Sequence, residues 1–257
     1  MPRRPLSGIL PALVFLFTMF FLASCVSSVA RAEEYYALGM AYFELKKYAE
    51  AETWFQKAQF HRATKTASEY YLGRIAYETG RYERAAACFE RIISRDEENI
   101  TALKAAAYTC IKLEELGKAE AYYARILKLV PESYDDGYNY ALVLLALGKA
   151  EDAEGVLAKY NNTENPKALL VLARAQKQQG KPEAADAYSA SLLKEDDPEV
   201  RAEFAAYLAE MGLTARALGE YRRALESDKL TNEKKEEINE ALTQLETDGQ
   251  GGAETKK

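Results

Sequence analysis

Small residues recur in pairs along this chain, and the two members of each pair are always 12 positions apart. The first members are Gly39, Gly73, Ala107, Ala141, Ala173 and Ala205, and the second are Ala51, Ala85, Ala119, Ala153, Ala185 and Ala217. Successive pairs are spaced 34, 34, 34, 32 and 32 residues. Alanine abundance alone would not hold both intervals through six copies. The pattern calls for two helices folded back on each other, because helix axes approach closely only where side chains are small. One hairpin cannot bury its apolar face alone, so neighbours must stack. Composition agrees: 48% of residues are apolar, 29% are charged, and 18 Tyr stand against 7 Pro, which suits packed helices rather than disorder. The expected fold class is all-α.

Larger residues surround each pair. Tyr35, Leu38, Gly39 and Tyr42, followed by Ala51, Phe55 and Ala58, resemble the tetratricopeptide pattern W-x2-L-G-x2-Y then A-x3-F, with Tyr in place of Trp. The next repeats give Leu72, Gly73, Ala85 and Phe89, then Ala107, Ala119, Tyr123 and Pro131, then Ala141, Gly148, Ala153 and Leu157. The last two give Leu172, Ala173, Gly180 and Ala185, then Phe204, Ala205, Gly212, Ala217, Tyr221 and Ala224. The resemblance implies a right-handed α-solenoid of about six tetratricopeptide (TPR) hairpins over residues 33–230. The two short repeats predict a trimmed second helix or linker. Residues 231–247 carry Ile238, Leu242 and Leu245 as one apolar stripe, which predicts a C-terminal capping helix. Residues 248–257 have no periodicity and read as a disordered tail.

The start of the chain is of another kind. Arg3 and Arg4 precede an uncharged apolar run from Gly8 to Ala23, near the signal-peptide range and short for a membrane span of about 20 residues. Leu22-Ala23-Ser24-Cys25 closes it and resembles the lipobox of bacterial lipoproteins. The resemblance implies a signal peptide over residues 1–24, diacylglycerol on Cys25, acylation (palmitate) of the new amino terminus, and a short linker over 25–32. Each buried methylene contributes ~0.8 kcal/mol, so several acyl chains hold a domain at a membrane. Two alternatives stay open: cleavage after Ala30-Arg31-Ala32, which would release the protein, and an uncleaved anchor. The expected location is the cell membrane or outer membrane, lipid-anchored and facing the periplasm or the surface. Val26 after the cysteine hints at the outer membrane.

Catalytic motifs are missing from the sequence. His61 is the only histidine and sits in a turn-like stretch, and no phosphate loop, zinc-protease or nucleophile-elbow pattern occurs. No enzyme activity, metal or cofactor is expected. Cys88 and Cys110 read as buried thiols, with a disulfide between them left open. Removing residues 1–24, which carry only Arg3 and Arg4, takes the net charge from −6 to −8, unsuited to nucleic acid.

TPR arrays bind extended segments on a concave face lined by the first helix of each repeat. By that resemblance the inner positions are Tyr36, Met40 and Phe43, then Tyr70, Arg74 and Tyr77, then Lys104, Tyr108, Ile111 and Lys112. Tyr138, Leu142 and Leu145 follow, then Lys167, Leu170, Arg174 and Lys177, then Ala202, Ala206 and Ala209. The result is a tyrosine-rich groove with interleaved Lys and Arg, suited to apolar anchors flanked by carboxylates. The implied function is a membrane-anchored scaffold for a protein or peptide partner in the bacterial envelope. The alternative is a small-molecule-binding or transporter-associated lipoprotein. The Lys and Asn of a carboxylate clamp are replaced by Tyr36 and Met40.

Overall fold

The computed structural model describes residues 29–160 and 165–254, and the regular structure in them is entirely α-helical. Helix α1 occupies residues 29–44. There follow α2 (Tyr48–Ala58), α3 (Lys65–Glu78), α4 (Tyr82–Ile93), α5 (Ile100–Lys112) and α6 (Leu116–Leu129). Then come α7 (Tyr134–Ala146), α8 (Ala150–Tyr160), α9 (Pro166–Gln178), α10 (Ala184–Lys194), α11 (Pro198–Glu210), α12 (Thr214–Leu225) and α13 (Asn232–Glu254). The signal segment 1–24 and Cys25 lie outside the described residues. Of the linker expected over 25–32, residues 29–32 already belong to α1, and Ala32 is fully buried. The chain divides into two compact units, one ending at Arg125 and the other starting at Ile126.

Each hairpin closes in the same way. At the end of its first helix one residue turns left-handed: Lys46, Gly80, Glu114, Gly148, Gly180 and Gly212, with φ between +56° and +75°. The following N–H then bonds back five residues, as in Lys47 to Tyr42, Arg81 to Ala76 and Leu213 to Leu208. This bond satisfies a carbonyl that the helix end would otherwise leave unpaired. Lys46 and Glu114 take this conformation without the freedom of glycine.

The paired small residues lie where the two helices meet, and all but Ala185 are buried. Two of them have to be glycine. A Cβ on Gly39 would stand 2.8 Å from the Phe55 ring, and one on Gly73 would stand 2.6 Å from the Phe89 ring. The Phe55 and Phe89 rings therefore press onto bare backbone, whereas alanine holds the equivalent place in later repeats.

The fifth repeat departs from the expected register. Its buried small residue is Ala184, fully enclosed, while Ala185 is only partly buried. The first turn of α10 is wound tightly, with N–H bonds from Ala184 to Lys181, from Ala185 to Pro182 and from Asp186 to Glu183, each three residues back. Three-residue winding advances the helix by one position relative to an α-turn. Tyr188, four residues after Ala184, then fills the place held by Phe55 and Phe89 elsewhere and is fully buried.

In the first unit Tyr71 stacks on Phe55 at 5.1 Å and 10°, and meets Phe43 edge-on at 5.2 Å. In the second, Tyr188 stacks on Phe204 at 5.4 Å. Side chains start four of the helices: Asn99 accepts from the Ala102 N–H, Asn165 from Lys167, Asp197 from Glu199 and Thr231 from Lys234, with Asn165 and Asp197 ahead of a proline at the first helical position. At the C-terminus Ile238 is buried, with Leu242 and Leu245 packed beside it against Tyr221 and Ala224. The helix runs to Glu254, past the limit of 247 and into the segment expected to be a disordered tail. Extending a helix already nucleated by packing needs no new nucleus.

Candidate functional site

On α3, Tyr70, Arg74 and Tyr77 follow one another at spacings of four and three and share a helix face. On α5, Thr101, Lys104, Ala105 and Tyr108 likewise share one helix face. The two faces border a cavity of about 570 Å³, to which Phe89 of α4 also contributes. Because Gly73 lets the Phe89 ring sit against the α3 backbone, the packing residue is also part of the cavity wall. Five of the expected groove residues, Tyr70, Arg74, Tyr77, Lys104 and Tyr108, are brought together here.

The walls are aromatic and fixed by other rings. Tyr70 lies 5.8 Å from Phe89, Tyr77 lies 5.4 Å from Tyr82, and Tyr108 meets Tyr123 edge-on at 6.3 Å. Tyr108 is 43% exposed, so it offers apolar area that the fold itself has not covered. Arg74 stands 5.0 Å from the Phe43 ring centre and 3.8 Å from the Glu78 carboxylate, an exposed ion pair of small energy. The rim thus carries Arg74 and Lys104 against Glu78. Burial, and then the neighbouring Tyr82, Glu78 and Tyr108, push the Tyr77 phenol above its ordinary range. It stays neutral at physiological pH and serves as a hydrogen-bonding tip on an apolar body.

The remaining expected residues fall elsewhere. Tyr36, Met40 and Phe43 are half-buried and pack onto the core around Phe55 and Leu72, with Tyr36 edge-on to Phe55 at 5.6 Å. They support α3 and do not line the cavity. Lys112 is exposed at the end of α5, outside it. In the second unit Tyr138 and Arg174 line a smaller cavity of about 260 Å³ with Leu142 and Lys167.

Arg174 and Lys177 were expected to meet a partner's carboxylates, and the fold already gives them carboxylates of its own. Arg174 donates through Nε to Glu203 Oε1 at 2.9 Å and through Nη2 to Oε2 at 2.7 Å. Tyr188 donates its hydroxyl to the same carboxylate at 2.7 Å. Burial alone would raise the Glu203 pKa, but the bonds from Arg174 and Tyr188 outweigh it and hold the carboxyl below its ordinary range. Lys177 bonds Glu210 at 3.1 Å. These acids lie 29 and 33 residues further on, about one repeat away, and that interval was the signal to look for. Glu154 likewise gathers Gln176, Gln179 and Lys181.

Among the described residues no group of three or more His, Cys, Asp or Glu is placed to hold a metal ion. His61 is half-buried in the turn after α2. Cys88 and Cys110 are buried free thiols, and burial, with Glu115 nearby, raises Cys110 to about 11. No helix among the described residues is long and apolar enough to cross a membrane.

Stacked helical hairpins with an aromatic cavity between two first helices define a helical-repeat protein. Tetratricopeptide-repeat family models match residues 32–59, 70–134 and 166–187, and these matches together with the helical hairpins support a tetratricopeptide-repeat protein. A protein of Treponema pallidum described as an uncharacterized lipoprotein is 26% identical over 134 residues, covering 51% of this chain and 68% of its own length. Among solved structures, a tetratricopeptide repeat protein from Parabacteroides merdae superposes with a TM-score of 0.69 at 22% identity, covering 79% of this chain and 82% of that one. YrrB, described as a TPR protein with an unusual peptide-binding site, superposes at 0.58 with 18% identity, over 67% of this chain and 91% of its own. These structural likenesses concern the fold.

Proposed function

We propose that this protein is a lipid-anchored TPR scaffold of the bacterial cell envelope, which holds segments of other proteins and brings them to an envelope assembly. One observation carries the docking role: Tyr70, Tyr77 and Tyr108 converge on a single cavity between α3 and α5, with Arg74 and Lys104 on its rim. Rigid aromatic area with polar tips binds protein segments at low entropic cost. The peptide-binding description of YrrB favours the same use of the fold. The anchor rests on Leu22-Ala23-Ser24-Cys25 and on the lipoprotein description of the Treponema relative.

The cavity volume of about 570 Å³ also lies in the range of small-molecule sites, which keeps a solute-binding role as the second reading. Crosslinking in intact envelopes, followed by mass spectrometry, separates the two. Recovery of a defined protein partner supports the scaffold. A solute carried by the purified protein, with no partner crosslinked, supports the alternative. Labelling with radioactive palmitate tests the anchor, with label expected on the wild type and absent from Cys25→Ser.

A further inference from the structure

The first hairpin carries a second aromatic group, separate from the cavity, in which Tyr35 and Trp54 are half-buried and Phe60 is open. Tyr35 of α1 and Trp54 of α2 lie 5.7 Å apart, and Lys57 Nζ stands 4.1 Å from the Trp54 ring centre. Just beyond α2, Phe60 is 83% exposed, the most open aromatic among the exposed large apolar residues of the described chain. Arg62 and Lys65 follow on the surface. Since α1 and α2 run antiparallel, the C-terminal end of α2 lies beside the N-terminal part of α1, as the Tyr35–Trp54 contact shows. That part of α1 also exposes Val29 and Arg31.

The length of the tether says what lies near this end. Val29 lies four positions after Cys25, and an extended chain spans at most about 3.6 Å per residue, so α1 begins within about 14 Å of the acylated cysteine. Tyr35 lies six positions into the helix, about 9 Å along its axis. The headgroup layer of each leaflet is itself roughly 5–8 Å thick. Trp, Tyr and Phe with Lys and Arg are the residue types that settle at such an interface, rings toward the acyl boundary and cations toward phosphate. Glu33 and Glu34 are exposed in the same stretch of α1 and oppose anionic lipid, so the rings and not the net charge carry the contact.

We infer that Tyr35, Trp54 and Phe60, with Lys57 and Arg62, form a membrane-contact face that seats the first hairpin in the lipid headgroup layer. The inference rests on the lipid anchor proposed above. It adds that the repeat array is docked on the bilayer and does not swing freely from its tether.

Trp54 is the only tryptophan, which makes it the reporter. The mature lipidated protein, starting at Cys25, is reconstituted in vesicles of phosphatidylethanolamine and phosphatidylglycerol, with or without acyl chains brominated near the headgroup. The expected result is loss of Trp54 emission in brominated vesicles and a shift to shorter wavelength in plain ones. Phe60→Ser, a change at an open surface position, should weaken the quenching without altering the circular dichroism. Protein that floats with the vesicles while Trp54 emission is identical in both lipids overturns the inference and leaves the anchor standing. Protein that fails to float overturns the anchor and the inference with it. Emission unaffected by brominated lipid but shifted by native envelope extract assigns the face to a protein partner and overturns the lipid assignment.

Discussion

The Phe89 ring rests where a side chain on Gly73 would have to be: a Cβ there would lie 2.6 Å from ring carbon Cε1 and 3.1 Å from the Cβ of Cys88. The absence of a single methyl group therefore sets how closely α3 and α4 approach. It also places the ring that borders the tyrosine cavity.

Gly73→Ala should lower stability by about 1–3 kcal/mol, the cost of overpacking a filled interface. Urea unfolding followed by circular dichroism measures it. Adding Phe89→Leu should recover part of the loss, since in the fourth repeat Leu157 holds the equivalent place in the core cluster that contains Ala141. If the double variant were as unstable as the sum of the two single changes, the clash would not be the cause.

Glu114 and Lys46 sit at left-handed turns that glycine occupies in the other four hairpins. Glu114→Gly should raise stability by about 0.5–1 kcal/mol, because relief of the side-chain strain exceeds the added chain entropy. Gly148→Ala should lower it by about 1 kcal/mol although no atom lies within 4 Å of the new Cβ, the penalty being conformational. Thermal melts of the two variants should move in opposite directions.

Tyr70→Ala combined with Tyr108→Ala removes two walls of the cavity between α3 and α5. Capture of the crosslinked partner should be lost while the helical content stays at the wild-type level. Unchanged capture would place the docking surface elsewhere. Arg174→Ala should matter less to capture, because its guanidinium is already committed to Glu203.

The Glu203 carboxyl is held below its ordinary value of 4.5 in the folded protein. Its contribution to stability is therefore complete above about pH 4.5 and is lost as pH falls through the lower, folded value. Glu203→Gln should be less stable than the wild type near neutrality, and the difference should shrink as the pH is taken down from about 6 to about 3. Melting temperatures across that range check the sign, and a difference that grew on acidification would refute it.

Much of the fold could be read from Gly39, Gly73 and their alanine counterparts, because close approach of two helices restricts residue choice so severely. The fifth repeat could not. Counting 12 from Ala173 reaches Ala185, but the tight turn after Pro182 buries Ala184 instead, and Tyr188 rather than spacing marks the true position. For the site, one-face spacing on α3 and α5 brought Tyr70, Arg74, Tyr77, Lys104 and Tyr108 to the same cavity. The same rule did not show that neighbouring rings of α2 and α3 partly cover Tyr36, Met40 and Phe43. Nor did it show that Arg174 and Lys177 pair with Glu203 and Glu210, since a position on a helix face says nothing about which acid on the next repeat will reach it.

The left-handed residue and back-bond that close each hairpin depend on nothing outside that hairpin. A cassette of 32 or 34 residues thus carries its own chain reversal, and insertion or loss of a whole cassette leaves every other reversal intact. Copy number in such a chain is free to drift by unequal recombination, whereas a change of one or two residues inside a cassette must be absorbed locally, as the first turn of α10 absorbs it here.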